Sequence, residues 1–363
     1  MSTIVRAADA AEFLSLVPRL LGYTPTESLV VVPMADGRSL GAMRVDLPPD
    51  DADVDAVASS IVGMVCRIPT AEAFVAVAYT FASARAGLPE AELMAALSRS
   101  ADACGLGVTD ALTVAGDGWG SHRSADLPSG GNDLAELSAR MPPPGDQTSG
   151  ARLPDVDDAV VAAIPAAVAS LEAALTLICG IPSLADPPER LEPAALEAAC
   201  ALDDLPALYE DALRWDVDDL DPLRGALLVW CLARPSLRDV AIVQWSSDRR
   251  GGDRALEAQR RWEDGEEYPS DLGCVMWGEG SRPDPDRLET ALTLVRHIAA
   301  IAPEELRAGP LATAAWLAWA LGRSTHAGTY ASAALAQERH HGLADIVRSF
   351  VAASHLPDWA FRR

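Results

Sequence analysis

The stretch that decides the fold is Ser28-Leu-Val-Val-Val-Pro-Met-Ala-Asp-Gly37, followed closely by Leu40-Gly-Ala-Met-Arg-Val-Asp-Leu47. The β-branched run Ser28–Met34 predicts a strand, because valine side chains pack well on a pleated surface. Asp36-Gly37 is typical of a tight turn, since both residue types tolerate a positive φ. We therefore predict an antiparallel hairpin whose two strands cover Ser28–Met34 and Leu40–Leu47.

Helix and strand patterns alternate on either side of this hairpin. Apolar spacing predicts helices over residues 10–21, 53–67 and 90–104, and strands over residues 73–80 and 108–115. The resulting order, β-β-α-β-α-β, is typical of a mixed sheet with helices packed over it. We expect an α/β domain over residues 1–150.

The pattern changes after this region. Residues 116–154 are rich in glycine, proline and serine, which is typical of a loop or linker. Beyond them, no alternation typical of strands is present. Successive helices are predicted over residues 156–179, 191–200, 204–214, 220–233, 236–247, 253–263, 286–301, 309–322, 327–338 and 341–353. Residues 151–363 are therefore predicted to form an all-helical domain.

The basic residues narrow the possible chemistry. All 29 basic residues are arginine, and the chain contains no lysine. The chain therefore cannot supply a P-loop lysine, the strand lysine of a protein kinase or a Schiff base. The hydrophobic fraction of 49% over 363 residues is that of an ordinary globular protein.

Negative charge is concentrated in one segment. The formal net charge is −24, and residues 186–221 alone carry 12 acidic residues against 2 arginines. This pattern is typical of a solvated acidic face; the alternatives are a docking surface for a basic protein partner or a mimic of nucleic acid. Direct nucleic-acid binding is not expected, because it requires a basic patch. The candidate partner-binding residues are Asp216, Asp218, Asp219 and Asp221.

Arginine is concentrated between residues 249 and 261, where acidic residues dilute it. We interpret this stretch as an ion-pair region, in contact with the acidic segment or with a second subunit, and not as a phosphate site. Arg238 and Asp239 begin a predicted helix, and we expect them to form a bridge within the chain.

The six cysteines predict neither a metal site nor a cofactor. They show no C-x-x-C pair and no histidine spacing typical of zinc. Most lie in apolar contexts, which predicts structural free thiols inside the fold. The N-terminus lacks the pattern of a signal peptide, and the longest apolar run, Leu311–Leu321, is shorter than the ~18 residues that span a bilayer. We expect a cytoplasmic protein without a membrane partner, whose oligomeric state stays open.

Five short motifs resemble a known family. They are Leu20-Leu-Gly-Tyr-Thr-Pro-Thr-Glu-Ser-Leu-Val-Val-Val32, Arg44-Val-Asp-Leu-Pro48, Val114-Ala-Gly-Asp-Gly-Trp119, Leu237-Arg-Asp-Val-Ala241 and Ala315-Trp-Leu-Ala-Trp-Ala-Leu-Gly322. Over nearly its whole length the chain resembles an actinobacterial family catalogued as a domain of unknown function. The resemblance implies a fold lineage and no activity. The segment 120–126 departs from the family, because many relatives have an aromatic-rich stretch followed by clustered cysteines at this point.

Ser28, Arg44 and Asp46 form the best polar constellation of the first domain. Arg44 and Asp46 are two positions apart on a predicted strand, so their side chains point to the same face. Ligands of open α/β sheets bind beside strand ends, which is where Asp46 is predicted. The alternative is an ion pair that braces the sheet edge without a binding role.

Two classes of function follow from these observations. The first is a non-catalytic interaction or scaffold protein that docks a partner on the acidic segment 186–221. The second is a small-molecule binder or hydrolase with its site at Ser28, Arg44 and Asp46. No motif such as G-x-S-x-G or H-E-x-x-H is present, and this favours the first class.

Overall fold

A computed structural model describes residues 9–139, 145–180 and 192–361 of the chain. The chain divides into two compact units, Met1–Ser149 and Gly150–Arg363. The first contains a mixed sheet and the second is helical, which confirms the coarse fold prediction.

Six strands form one sheet in the first unit. They are β1 (Ser28–Ala35), β2 (Arg38–Ser39), β3 (Met43–Asp46), β4 (Ala73–Tyr79), β5 (Gly107–Val114) and β6 (Trp119–Ser121). The strand order is β2-β1-β4-β5-β6, and β3 also pairs with β1. Strands β4 and β5 are parallel, whereas every other pair is antiparallel. The carboxyl ends of β4 and β5 therefore lie at the same edge of the sheet.

Helices cover both faces of this sheet. They are α1 (Ala10–Leu21), α2 (Val54–Cys66) and α3 (Ala91–Cys104), and the 3₁₀ turn Leu134–Ala139 packs with α1. A second 3₁₀ turn, Ala84–Ala86, follows β4. Leu29 and Val31 of β1 pack with α2 and α3, whereas Val30 and Val32 pack with α1. Side chains alternate along a strand, so an uninterrupted apolar run indicates that both faces are buried.

The hairpin differs from its prediction in one respect. Asp36 and Gly37 have φ values of +50° and +69°, as the predicted tight turn requires. The predicted second strand Leu40–Leu47 is formed only over β3 (Met43–Asp46), and the short strand β2 (Arg38–Ser39) lies before its predicted start. Gly41, with φ of +134°, interrupts the ladder, because this backbone conformation is open mainly to glycine. Strand β6 lies in a stretch that was predicted as a loop.

Eleven α-helices are present in the described part of the second unit. They are α4 (Asp158–Cys179), α5 (Pro193–Cys200), α6 (Leu205–Ala212), α7 (Pro222–Leu232), α8 (Pro235–Ser246), α9 (Arg249–Glu263), α10 (Ser270–Met276), α11 (Pro285–Ile301), α12 (Ala308–Ala320), α13 (Ser324–Gln337) and α14 (Gly342–Ala352). Five of these helices have proline in the first turn, a position where proline is favoured. The short helix α10 was not predicted. Helix α12 lies at the centre of the unit, because all thirteen of its residues are buried.

Helix α4 shows that the expectation of Leu311–Leu321 as the longest apolar run was wrong. With 22 residues, it is long and apolar enough to cross a membrane by length and composition, and it is the one such helix in the described ranges. Leu311–Leu321 is therefore not the longest apolar candidate. A core helix meets the same criterion, and one face of α4, including Ile164, Leu171 and Ala174, is buried in the core of the helical unit.

The first prediction concerns the start of α12, where Gly309 packs against the end of α7. A Cβ at Gly309 would lie 2.2 Å from the Leu232 oxygen and 2.7 Å from the Ala233 Cα. Backbone atoms cannot move aside easily, so Gly309→Ala should lower the free energy of unfolding by roughly 2–3 kcal/mol. Denaturant unfolding measures this change.

The matched control is Gly328→Ala on α13. There a new Cβ would meet Val351 Cγ1 at 3.5 Å, an ordinary contact. Because alanine favours a helix over glycine, this variant should be unchanged or more stable by up to about 1 kcal/mol. Equal losses in the two variants would speak against the tight crossing of α7 and α12.

Candidate functional site

The structure brings the three candidate residues of the first unit together. The register of β1 places Ser28 between Asp46 on β3 and Tyr79 on β4, and Arg44 lies opposite Val30. Residues in direct register point to the same face of a sheet, and this is the face covered by α1. The cluster lies at the edge where β4 ends.

Hydrogen bonds connect these side chains tightly. Arg44 Nε donates to Ser28 Oγ at 2.8 Å, Ser28 Oγ donates to the Thr26 carbonyl oxygen at 2.6 Å, and Arg44 also forms an ion pair with Asp46. Ser28 is fully buried and the Arg44 side chain is 9% exposed, whereas the Asp46 side chain is 80% exposed. Arg44 therefore joins β1 to β3, and Asp46 is the member of the cluster that solvent reaches.

Two tyrosines that lie beside this cluster, Tyr79 and Tyr23, were not identified from the sequence. Burial raises the pKa of Tyr79, and its hydroxyl has no hydrogen-bond partner within the described ranges. Burial also raises the pKa of Tyr23, where the Arg44 charge opposes the shift and the Asp46 charge adds to it. Tyr23 belongs to one of the quoted motifs, but only the pairing of β1 with β4 shows that Tyr79 lies beside Ser28.

Two glutamates at this sheet edge have unusual backbone conformations. Glu27 and Glu90 have φ values of +43° and +64°, which glycine adopts more readily. The Glu27 carboxylate accepts a hydrogen bond from the Phe81 amide. Burial, with the charges of Glu27 and Asp50, raises the pKa of Glu90. Glu27 thus ties the loop after β4 to the start of β1.

The segment after Trp119 completes the far edge of the sheet. Its histidine, His122, lies with Nε2 2.8 Å from Thr113 Oγ1, and Thr113 is fully buried. Burial lowers the pKa of His122, while the nearby Asp110 charge opposes this shift. In the preceding turn, the Asp117 carboxylate accepts hydrogen bonds from the Ser83 hydroxyl and the Ala84 amide. Asp117 therefore stabilises the turn, and His122 stabilises the edge strand through its contact with Thr113.

In the second unit, the candidate acidic residues are exposed. Asp216, Asp218, Asp219 and Asp221 lie on the segment between α6 and α7, and we call residues 216–221 the acidic loop. Asp221 accepts hydrogen bonds from the amides of Leu223 and Arg224, so it caps α7. Residues 186–191 of the predicted acidic segment lie outside the described residues.

Arginines neutralise other acidic residues of this segment. Asp204 pairs with Arg249 at 2.9 Å, and Asp211 pairs with Arg214 at 2.8 Å. By contrast, no arginine of the described ranges forms an ion pair with Asp216, Asp218 or Asp219. With four carboxylates in six residues, the acidic loop is the densest run of negative charge in the described part of the segment.

A pocket of about 290 Å³ adjoins the acidic loop. It is lined by Ala212, Leu213, Trp215, Asp216 and Val217 from the segment after α6, and by Glu289, Thr290, Thr293 and Leu294 from α11. The lining combines apolar side chains with two carboxylates. One of them, Glu289, also pairs with Arg323 at 2.8 Å.

Glu210, although part of the acidic segment, belongs to a network inside the helical unit. Arg287 Nη1 and Nη2 donate to its two oxygens at 2.9 and 2.6 Å, and Gln244 Nε2 donates to it at 3.2 Å. The hydrogen bonds from Arg287 lower the pKa of Glu210 to about 2. The network connects α6, α8 and α11 and leaves Glu210 unavailable for a partner.

The predicted ion-pair region agrees with the structure. Besides the contact of Arg249 with the acidic segment, Arg254 pairs with Asp271 at 2.6 Å and Arg261 pairs with Glu257 at 2.9 Å. The bridge between Arg238 and Asp239 is confirmed, with Nη2 and Oδ1 2.8 Å apart.

The prediction of buried cysteines was wrong for most of them. Cys231 is buried, and burial raises the pKa of its thiol to about 12. Four others are exposed, and each is the last residue of a helix: Cys66, Cys104, Cys179 and Cys200 end α2, α3, α4 and α5. Val65 and Ala199, which precede Cys66 and Cys200, are buried, whereas Leu177 and Ile178 before Cys179 are themselves exposed. An apolar neighbourhood in sequence therefore did not predict a buried thiol at a helix end.

Comparison with protein families identifies the lineage. Residues 11–264 match a domain of unknown function (DUF4192), and the chain belongs to this family. No curated protein and no solved structure matches the chain significantly.

The family match ends inside the helical unit. It stops just after α9, so it does not include the Ala315–Gly322 motif that the wider resemblance used. The hydrophobic core nevertheless continues from α4 to α14 as one cluster. The helices after residue 264 therefore complete a core that the matched helices cannot close alone.

The second prediction tests the network around Glu210. The pKa of Glu210 in the folded protein is far below that of an exposed glutamate. Its ionised carboxylate therefore contributes fully to the free energy of unfolding above about pH 4.5, and this contribution is lost as pH falls towards 2. Its side chain is 22% exposed and that of Arg287 is 18% exposed. Glu210→Gln should therefore lose roughly 2–3 kcal/mol of unfolding free energy at pH 7. Urea unfolding across this pH range measures both effects.

Asp211→Asn is the control, because Asp211 and Arg214 form an exposed pair. This variant should change the free energy of unfolding by less than about 1 kcal/mol. If Glu210→Gln behaves like the control and keeps the pH dependence of the natural chain, the network does not stabilise the helical unit.

Proposed function

We propose that this protein is a non-catalytic interaction protein whose helical unit docks a basic segment of a partner protein. The observation that carries the proposal is the pocket beside the acidic loop. Asp216, Asp218 and Asp219 provide exposed negative charge there, and the pocket offers apolar walls next to it. Charge of opposite sign on the partner increases the association rate and sets the orientation of docking.

The chemistry of the pocket suits an arginine or lysine side chain of the partner. Such a side chain has an apolar stem and a charged head, and it buries the stem while the head stays near water. Leu213, Trp215 and Leu294 provide apolar surface for the stem, and Asp216 provides a carboxylate for the head. Nucleic acid is disfavoured at this surface, since phosphates and the acidic loop carry the same charge.

The third prediction tests this surface with an octa-arginine peptide as the probe. In the variant with Asp216, Asp218, Asp219 and Asp221 all replaced by asparagine, affinity should fall at least about tenfold, because attraction and the hydrogen-bond acceptors for the cation are both weakened. Asparagine caps a helix as well as aspartate does, so α7 should remain intact. Fluorescence anisotropy at two salt concentrations measures the affinities.

A matched control removes the same number of charges elsewhere. Glu263, Asp264, Glu266 and Glu267 are all exposed near the end of α9, and their replacement by glutamine or asparagine should weaken binding less than about threefold. Equal effects of the two quadruple variants would show that net charge, and not the acidic loop, attracts the peptide, and would overturn the proposal.

We propose as the second candidate function a small-molecule binder at Ser28, Arg44 and Asp46. The supporting observation is the Tyr79 hydroxyl, which is buried beside Ser28 and has no partner within the described residues. A ligand oxygen or nitrogen would satisfy this group, and leaving it unpaired costs free energy. We propose binding and not hydrolysis, because the Ser28 hydroxyl is fully buried and donates to the Thr26 carbonyl.

The fourth prediction compares native with denaturing mass spectra of one purified preparation. The natural chain should show a reproducible excess mass in the native spectrum, and Tyr79→Phe should lose it without a lower thermal midpoint, since the hydroxyl has no partner among the residues that the structure describes. Tyr330→Phe, in the other unit, should keep the excess mass. A bare natural chain, or an excess that survives Tyr79→Phe, contradicts the site.

A further inference from the structure

Two of the exposed cysteines end helices that lie side by side. Helices α2 and α3 both cover the same face of the sheet in the first unit, and they end at Cys66 and Cys104. Both thiols are exposed. Helices α4 and α5 also pack together and end at the exposed Cys179 and Cys200, so these two thiols serve as the comparison pair.

Polar contacts define the seam between these helices. Arg99 Nη2 of α3 lies 2.6 Å from Asp55 Oδ1 of α2, and the hydroxyls of Ser59 and Ser100 lie 3.4 Å apart. Buried side chains of both helices belong to the same core cluster. The relative position of α2 and α3 is therefore set along their length and not only at their ends.

Helical periodicity extends this seam to the cysteines. Cys66 follows Ser59 by seven residues and Cys104 follows Ser100 by four, which are two turns and one turn of a helix. Both cysteines thus continue the faces that meet at Ser59 and Ser100. In agreement, partial desolvation and the neighbouring Cys104 thiol raise the pKa of Cys66.

We propose that Cys66 and Cys104 form a reversible disulfide that links the end of α2 to the end of α3. The oxidant is a disulfide of low molecular weight, of the glutathione type. Both thiols are accessible to such a small molecule, and the last residue of a helix adjusts more easily than an interior residue when two sulfurs approach bonding distance.

The exchange proceeds in two balanced steps. The thiolate of Cys104 attacks one sulfur of the small disulfide, a mixed disulfide forms, and the other half of the oxidant leaves as a thiol. Cys66 then loses its proton and attacks the Cys104 sulfur, which releases the second half as a thiol. Two protein thiols are oxidised and one small disulfide is reduced to two thiols. The raised pKa of Cys66 suits it to this second, resolving step.

The bond would stabilise the first unit against unfolding. It closes a loop of about 40 residues, which restricts the unfolded chain, and the thermal midpoint should rise by roughly 5–15 °C. The closed loop includes β4, the central strand between β1 and β5. The disulfide would therefore stabilise the whole sheet against unfolding, and not only the two helix ends.

The experiment incubates the full chain in buffers of oxidised and reduced glutathione, blocks remaining thiols and maps the disulfides by mass spectrometry. Trypsin cuts this lysine-free chain only at arginine, so Cys66 lies in peptide 45–67 and Cys104 in peptide 100–123, each with a single cysteine. We expect the cross-linked pair of these peptides, reversed by reduced glutathione, and a higher thermal midpoint for the oxidised chain.

Single variants separate this pair from the other thiols. Cys66→Ser and Cys104→Ser should each abolish the cross-link and the rise in thermal midpoint, whereas Cys179→Ser and Cys200→Ser should keep both. The proposal is overturned if the two peptides do not cross-link, if they link equally to Cys179 or Cys200, or if the bond leaves the thermal midpoint unchanged. Circular dichroism of each reduced variant confirms that the chain is folded.

Discussion

The burial of β1 on both faces is the constraint on which the first unit depends. Leu29 and Val31 require cover from α2 and α3, and Val30 and Val32 require cover from α1. A strand with two apolar faces cannot lie at an open surface, so the chain must supply a helical layer on each side. This arrangement brings the ends of β1, β3 and β4 together, and with them the hydrogen-bonded cluster around Arg44.

A corresponding constraint organises the helical unit. Helix α12 is buried along its entire length, so it must be surrounded by other helices, and glycine at its start permits the close approach of α7. The family match ends before α12 although the core does not. The range of the family match and the extent of the packed core therefore differ, because a core needs all of the helices that cover it.

In this lysine-free chain, a half-buried carboxylate is paired with arginine, and the carboxylates of the acidic loop are exposed. Arginine satisfies carboxylates inside the fold, as between Arg287 and Glu210, where its planar group binds two oxygens at once. Within the part of the chain that the structure describes, no arginine pairs with Asp216, Asp218 or Asp219, so their charge remains exposed to solvent or to a partner. Burial of paired charge and exposure of unpaired charge follow the same rule, since an isolated charge is costly to remove from water.

The sequence by itself determined most helices and strands of this protein and the change from an α/β region to a helical region. The valine run, the Asp36-Gly37 turn and the prolines at helix starts act over a few neighbouring residues, so the mixed sheet and the helical second half could be predicted, whereas the short elements β2, β6 and α10 could not. The spacing of Arg44 and Asp46 likewise placed them on one face. Only the tertiary structure decided what lies beside them. Strand pairing places Tyr79 beside Ser28, and the pocket beside the acidic loop forms where α11 returns to the segment after α6. Helices α2 and α3, which share one core cluster, bring their last residues Cys66 and Cys104 to one seam. These contacts join residues far apart in the chain, and local patterns carry no information about which distant surfaces meet.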